Sequence, residues 1–191
     1  QANINLIYIG KAVQDIILEK NPQASEKDLL EISEIIWIGA IKYGYLSKSR
    51  TTDMIFDWDE FMTFEWNSFP YVAYSYVRAI RVLEKSQTSL ETIKNAQISS
   101  TFSQSEQINL FKEIIALNET LIWVHDAILP HNLVGYVYNL SKNFSAFYNA
   151  INILTEENQE KKLLNLKLIA SYTKSLELVF SILAIKLPSK M

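Results

Sequence analysis

At 191 residues, with 49% hydrophobic and 20% charged, the chain has enough apolar material for a packed core and too much for a disordered polymer. A net charge of −3 and a pI near 5.5 argue against a general polyanion binder, whose footprint is strongly basic, though not against a local basic stripe. The absence of cysteine removes disulfides, thiolate nucleophiles and cysteine metal sites, which fits a cytoplasmic protein. No stretch of 18 apolar residues occurs and no signal peptide opens the chain, so no membrane partner is expected.

Four glycines and four prolines predict long uninterrupted elements. Residues 2 to about 20 carry a broad helical stripe (Ile4, Ile7, Tyr8, Val13, Ile16, Ile17) that Asn21-Pro22 ends. Ser25 to Asp28 opens the next helix as a capping box, followed by Leu29, Leu30, Ile32, Ile35, Ile36, Ile38 and Ile41. Gly39 and Ala40 lie in its most apolar part. A glycine inside a helix is unfavourable by up to about 1 kcal/mol relative to alanine, so close approach of another backbone is expected there. Residues 47–55 are polar and predict a loop. Asp57, Asp59 and Glu60 then read as a helix start rather than a metal site, because no histidine or further ligand lies nearby.

Pro70 fits the first turn of a helix, with Asn67 or Ser68 as its cap. At about 100° per residue, Tyr71, Tyr74, Arg78, Arg81 and Lys85 fall within a sector roughly 80° wide. Val72, Tyr76, Ala79 and Leu83 form a second sector, the expected core face. Arg50, Arg78 and Arg81 are the only arginines, and two of them share the first sector. Guanidinium forks suit phosphate and stacking, and tyrosines offer faces to unstacked bases. That sector reads either as a single-stranded RNA platform or as core tyrosines beside solvated cations.

Residues 86–107 are rich in Ser, Thr and Gln and predict a mobile polar connection with one short helix near Leu90 to Ala96. Ser105 to Leu129 predicts one helix that buries Ile108, Phe111, Ile114, Ile115, Ile122 and Val124. Pro130 ends it. The next seam is Leu133, Tyr136, Val137, Leu140, Phe144, Phe147, Tyr148 and Ile151. After a charged break at 156–162, a last helix turns Leu163, Leu166, Ile169, Tyr172, Leu176, Val179, Phe180 and Leu183 inward. No alternation long enough for a sheet occurs, so the fold is predicted to be an all-α helical bundle.

His125 and His131 flank Pro130 and lack partners that would make them metal ligands. There is no phosphate loop, no H-E-x-x-H and no G-x-S-x-G, and no nucleophile pairs with a base. No catalytic residue, metal or cofactor is expected.

Three groups of motifs fall in order. Gly39-Ala40-Ile41-Lys42-Tyr43 is followed by Phe56-Asp57-Trp58-Asp59, Phe64-Glu65 and Pro70 to Arg78. Pro130-His131-Asn132-Leu133, Tyr136 to Leu140, Phe147-Tyr148-Asn149 and the terminal Pro188-Ser189-Lys190-Met191 complete the set. The ordered set resembles the C-terminal anticodon-binding (DALR) domain of class I arginyl-tRNA synthetases, or a stand-alone paralogue of it. The resemblance implies a helical bundle of the class I anticodon-binding type, with 51–191 as the bundle and 1–50 as helices that join it to a catalytic domain. It also implies a partner, the anticodon loop of an arginine tRNA, and a base pocket at Tyr71, Tyr74, Arg78 and Met191, with Tyr148 a further candidate. Arg81 and Lys85 would steer the backbone.

Trp66 stands where that family has glycine, Phe69 where it has a small residue, and Ala73 where it has glutamine. The rings at 66 and 69 are expected to obstruct an approaching loop. They also support a second reading, in which they form an exposed apolar anchor for a catalytic domain or another protein. The ATP-holding motifs of the family are absent, so this chain alone is not expected to aminoacylate.

Overall fold

The computed structural model describes residues 25–53 and 67–191, together with 11, 13–15, 17 and 18. Most of the expected first helix and the acidic capping box at 57–60 lie outside the described residues, as does Trp66. Among the described residues seven helices have defined bounds: α1 (Glu26–Leu46), α2 (Phe69–Lys85), α3 (Leu90–Asn95), α4 (Ser105–Ile115), α5 (Leu117–Ala127), α6 (His131–Ala150) and α7 (Gln159–Ile182). No strand occurs among the described residues. The architecture is the expected all-α bundle.

Local signals place the helix starts. The Ser25 hydroxyl accepts from Asp28 N at 3.2 Å and the Ser68 hydroxyl from Tyr71 N at 3.3 Å, with Pro70 in the first turn of α2. Asn158 accepts from Glu160 N and Lys161 N to start α7. The core is built where α2, α6 and α7 meet. Val72, Ala79, Leu140, Phe144, Leu166, Ile169, Tyr172 and Leu176 are sealed there, and the Phe144 and Tyr172 rings stack at 4.2 Å. Burial raises the Tyr172 phenol well above the usual tyrosine range, partly offset by its contact with Ser141.

α1 enters the same core through Gly39, Ala40 and Tyr43. What approaches Gly39 is an aromatic ring and not the expected backbone: a Cβ at 39 would lie 2.2 Å from Cε1 of Phe69. Phe69 is 0% exposed, wedged between Tyr43 and Phe180 with ring centroids at 6.3 and 5.6 Å. This overturns both expectations for Phe69. It neither obstructs an approaching loop nor serves as an exposed anchor, because the space beside Gly39 takes its ring inward.

The stretch 86–107 is held against α7. Ile93 is buried, Lys167 donates to the Ala96 carbonyl at 2.9 Å, and Glu160 accepts from Ser100 N at 2.9 Å.

The largest departure concerns residues 105–129. The expected single helix is two, broken at Ala116, and the expected buried set is largely outside. Ile108, Phe111, Ile115 and Ile122 are exposed, the last two by 56% and 64%; Ile114 and Val124 alone of that set pack against the core. Gln107 and Leu110 go inward instead. Gln107 donates to Asn165 Oδ1 at 2.7 Å, while its own Oε1 accepts from Ser103 N and Gln104 N. A buried polar pair and a cap thus set the rotation of α4, one position away from the more conspicuous apolar stripe.

Candidate nucleic-acid interface

α2 and α6 lie side by side, and their shared outer face carries the residues that the wheel of α2 gathers. Tyr71 is half-buried. Its hydroxyl meets Ser145 Oγ at 3.3 Å and its ring faces Tyr138 at 5.9 Å. One turn on, Tyr74 is also half-buried. Its ring centroid lies 5.5 Å from the Arg78 guanidinium carbon, which sits 3.9 Å above the ring of Tyr148 from α6. Arg78 also donates to Asn149 Oδ1 at 3.3 Å. A guanidinium held between two aromatic rings is attracted by both π faces and keeps its remaining N–H groups for an incoming acceptor.

Arg81 is exposed and donates to the Met191 carbonyl. Met191 is 5% exposed and belongs to the core, so the terminal residue is brought against the same helix. Lys85 is exposed in the last turn of α2, where its charge complements the helix dipole. Beside Tyr148 a pocket of about 180 Å³ opens, bounded by Val82 and by residues 151–155 after α6. Tyr71, Tyr74, Arg78, Arg81 and Tyr148 therefore share one edge of the α2–α6 pair, with Lys85 at its far end, while Met191 lies buried and reaches the edge only through its carbonyl.

Tyr76 points the other way. It donates to Glu177 Oε1 at 3.0 Å, and burial with that carboxylate raises its phenol to about 12.

Residues that the reading of α2 alone misses come from α6 and the turn after it. Tyr138, Ser145 and Asn149 recur at helical spacing and turn toward α2, and Asn152, just past the helix, lines the pocket. Their period was visible, but the partner helix was not. His125 is exposed and its Nδ1 lies 3.1 Å from Oδ1 of its neighbour Asp126. No group of three or more potential metal ligands occurs among the described residues. None of their helices is long and apolar enough to cross a membrane.

The sequence profile of the DALR anticodon binding domain matches residues 72–191. Arginine–tRNA ligases of Enterobacter sp. (strain 638) and Shigella dysenteriae serotype 1 (strain Sd197) are 35% and 36% identical over 176 residues. Those alignments cover 92% of this chain and 30% of each ligase. The arginyl-tRNA synthetase of Thermus thermophilus superposes on 97% of the chain with a TM-score of 0.86 at 23% identity, over 31% of its own length. That of Plasmodium falciparum covers 98% with a TM-score of 0.83 at 27% identity, over 33% of its length. The chain spans about 30% of the curated relatives it matches.

Proposed function

Since this chain belongs to the DALR anticodon-binding domain family, we propose that the α2–α6 edge receives the anticodon loop of an arginine tRNA. The observation that carries this reading is the Arg78 guanidinium, 3.9 Å over Tyr148 and 5.5 Å from the ring centre of Tyr74; the same Tyr148 lines a pocket of about 180 Å³. A splayed base stacks on Tyr74 or on the guanidinium plane, and Tyr71 holds the ring row in place through Ser145. Arg78 contacts a base edge or phosphate, Arg81 and Lys85 steer the backbone, and Met191 positions Arg81 through its carbonyl.

Residues 51–191 are then the binding bundle and 1–50 the joint to a catalytic part in a longer ligase. Aminoacylation would be the act of that longer protein. The rival reading, a protein-interaction bundle anchored at Trp66 and Phe69, loses support because Phe69 is sealed in the core.

The experiment is fluorescence anisotropy with an arginine-tRNA anticodon stem-loop against one with a scrambled anticodon. Preferential binding of the first is expected, with a shallow salt slope from few phosphates. Tyr74→Ala should weaken it by about 1–3 kcal/mol, as loss of one stacked base does. Equal weak binding of both stem-loops would sink the reading.

A further inference from the structure

On the side of α2 away from the arginines, a pocket of about 520 Å³ opens between α2, α3, α4 and α7. Ile80 and Leu83 of α2, Leu90 and Ile93 of α3, Ile114 of α4 and Ala170 of α7 form its apolar walls. Thr173 and Ser175 also line it, but their hydroxyls are spent on their own helix, donating to the Ala170 and Ser171 carbonyls at 2.9 and 3.0 Å. Nothing in that pair of side chains penalises an apolar occupant. The size lies within the range of about 300–1,000 Å³ that encloses small organic ligands.

Charge decides what kind of ligand. Lys94, Lys167, Lys174 and Glu177 stand around the pocket. Glu177 is already engaged: it pairs with Lys174 at 2.7 Å and accepts from the Tyr76 hydroxyl at 3.0 Å. Lys167 has only the neutral Ala96 carbonyl at 2.9 Å, and no ion pair to Lys94 occurs among the described residues. Two ammonium groups on the α3 side of an apolar pocket are thus left without a compensating anion. A neutral apolar molecule would leave them so, and inorganic phosphate would have no use for the walls.

We propose that this pocket binds a small amphipathic carboxylate, an acyl or aryl acid whose tail lies along Ile80, Leu83, Ile93 and Ile114 and whose carboxylate meets Lys94 and Lys167. The pocket lies on the side of α2 opposite the edge proposed for RNA, so occupancy of one does not require the other.

Sodium decanoate and decyltrimethylammonium, each below its micelle concentration, are titrated into the full chain and followed by amide chemical shifts and calorimetry. Decanoate should bind at the pocket, and the cation, with the same tail, should bind about tenfold more weakly or not at all. Lys94→Glu combined with Lys167→Gln should reduce decanoate affinity about tenfold in a chain that still unfolds cooperatively, with Lys167→Gln alone reporting any stability lost with the Ala96 contact. Ala170→Phe fills the cavity with the lysines intact and should abolish binding. Equal binding of both probes overturns the proposal. So do undiminished decanoate binding by either variant in folded form and an absence of shifts at the pocket residues.

Discussion

α2 and the α4–α5 pair are built from similar material and settled in opposite ways. In α2 the stripe picked out by spacing (Val72, Tyr76, Ala79, Leu83) is the buried one, and the aromatic–cation stripe runs from half-buried tyrosines to exposed Arg81 and Lys85. In α4, Gln107, Leu110 and Ile114 face inward, while Ile108, Phe111 and Ile115, shifted by one residue, face out. Both stripes of α4 have the same i, i+3, i+7 spacing. Period alone locates a face to within a rotation, and what fixes the rotation is the side chain with the most to lose outside its partner's reach. In α2 that is Phe69, keyed into Gly39; in α4 it is Gln107, keyed into Asn165.

The sharpest way to break this contrast is at the α2 key. Phe69→Ala should cost about 3–5 kcal/mol, measured by urea unfolding, since the ring is sealed against Tyr43 and Phe180. Gly39→Ala should destabilise the native chain, because its Cβ would fall inside the Phe69 ring. In the Phe69→Ala background the same change should become neutral or favourable, by up to about 1 kcal/mol of helix propensity. Additive costs in the double variant would mean that the two residues do not share one space.

At the α4 key the expected effect is smaller. Gln107→Leu leaves the buried Asn165 without its donor and Ser103 N and Gln104 N without their shared acceptor. A loss of about 1–3 kcal/mol is expected, partly recovered when Asn165→Leu is added. Ile115→Ser on the outer stripe of α4 should change stability by no more than about 0.5 kcal/mol. A larger loss from Ile115→Ser than from Gln107→Leu would show that the apolar stripe, and not the polar pair, sets the rotation.

The same contrast explains what could be read in the chain. The bundle, the caps at Ser25 and Ser68, and the seams of α6 and α7 were legible because each rests on local spacing or on a hydroxyl three residues from its donor. The gathering of Tyr71, Tyr74 and Arg78 followed from one helix. Their partners Tyr138, Ser145 and Asn149 did not, because pairing α2 with α6 joins residues more than sixty positions apart. Phe69 misled for a similar reason: taken alone it is a bulky ring at a helix start, and only the glycine thirty residues earlier makes it a core residue. Gln107 was invisible as a core residue because polar atoms enter a core only with a partner, and Asn165 lies on another helix.

The mildest test separates burial of apolar surface from burial of charge at the α4–α6 contact. Glu113 is half-buried beside Asn143 Nδ2 at 3.5 Å, and desolvation raises its carboxyl above the usual range. An acid whose folded pKa lies above its unfolded one binds its proton more tightly when folded. Its contribution therefore favours the folded state at low pH and is lost as pH rises from the ordinary glutamate range through the raised value. Glu113→Gln keeps an acceptor for Asn143 and removes the charge, so it should raise the melting temperature slightly at pH 7, with the gain shrinking as pH is lowered toward 4. Solvent screening at this half-open position keeps the effect below that of Gln107→Leu. A gain that persisted unchanged at low pH would point to packing rather than charge, and would place Glu113 with the indifferent outer stripe of α4 instead of with its inward, partnered side.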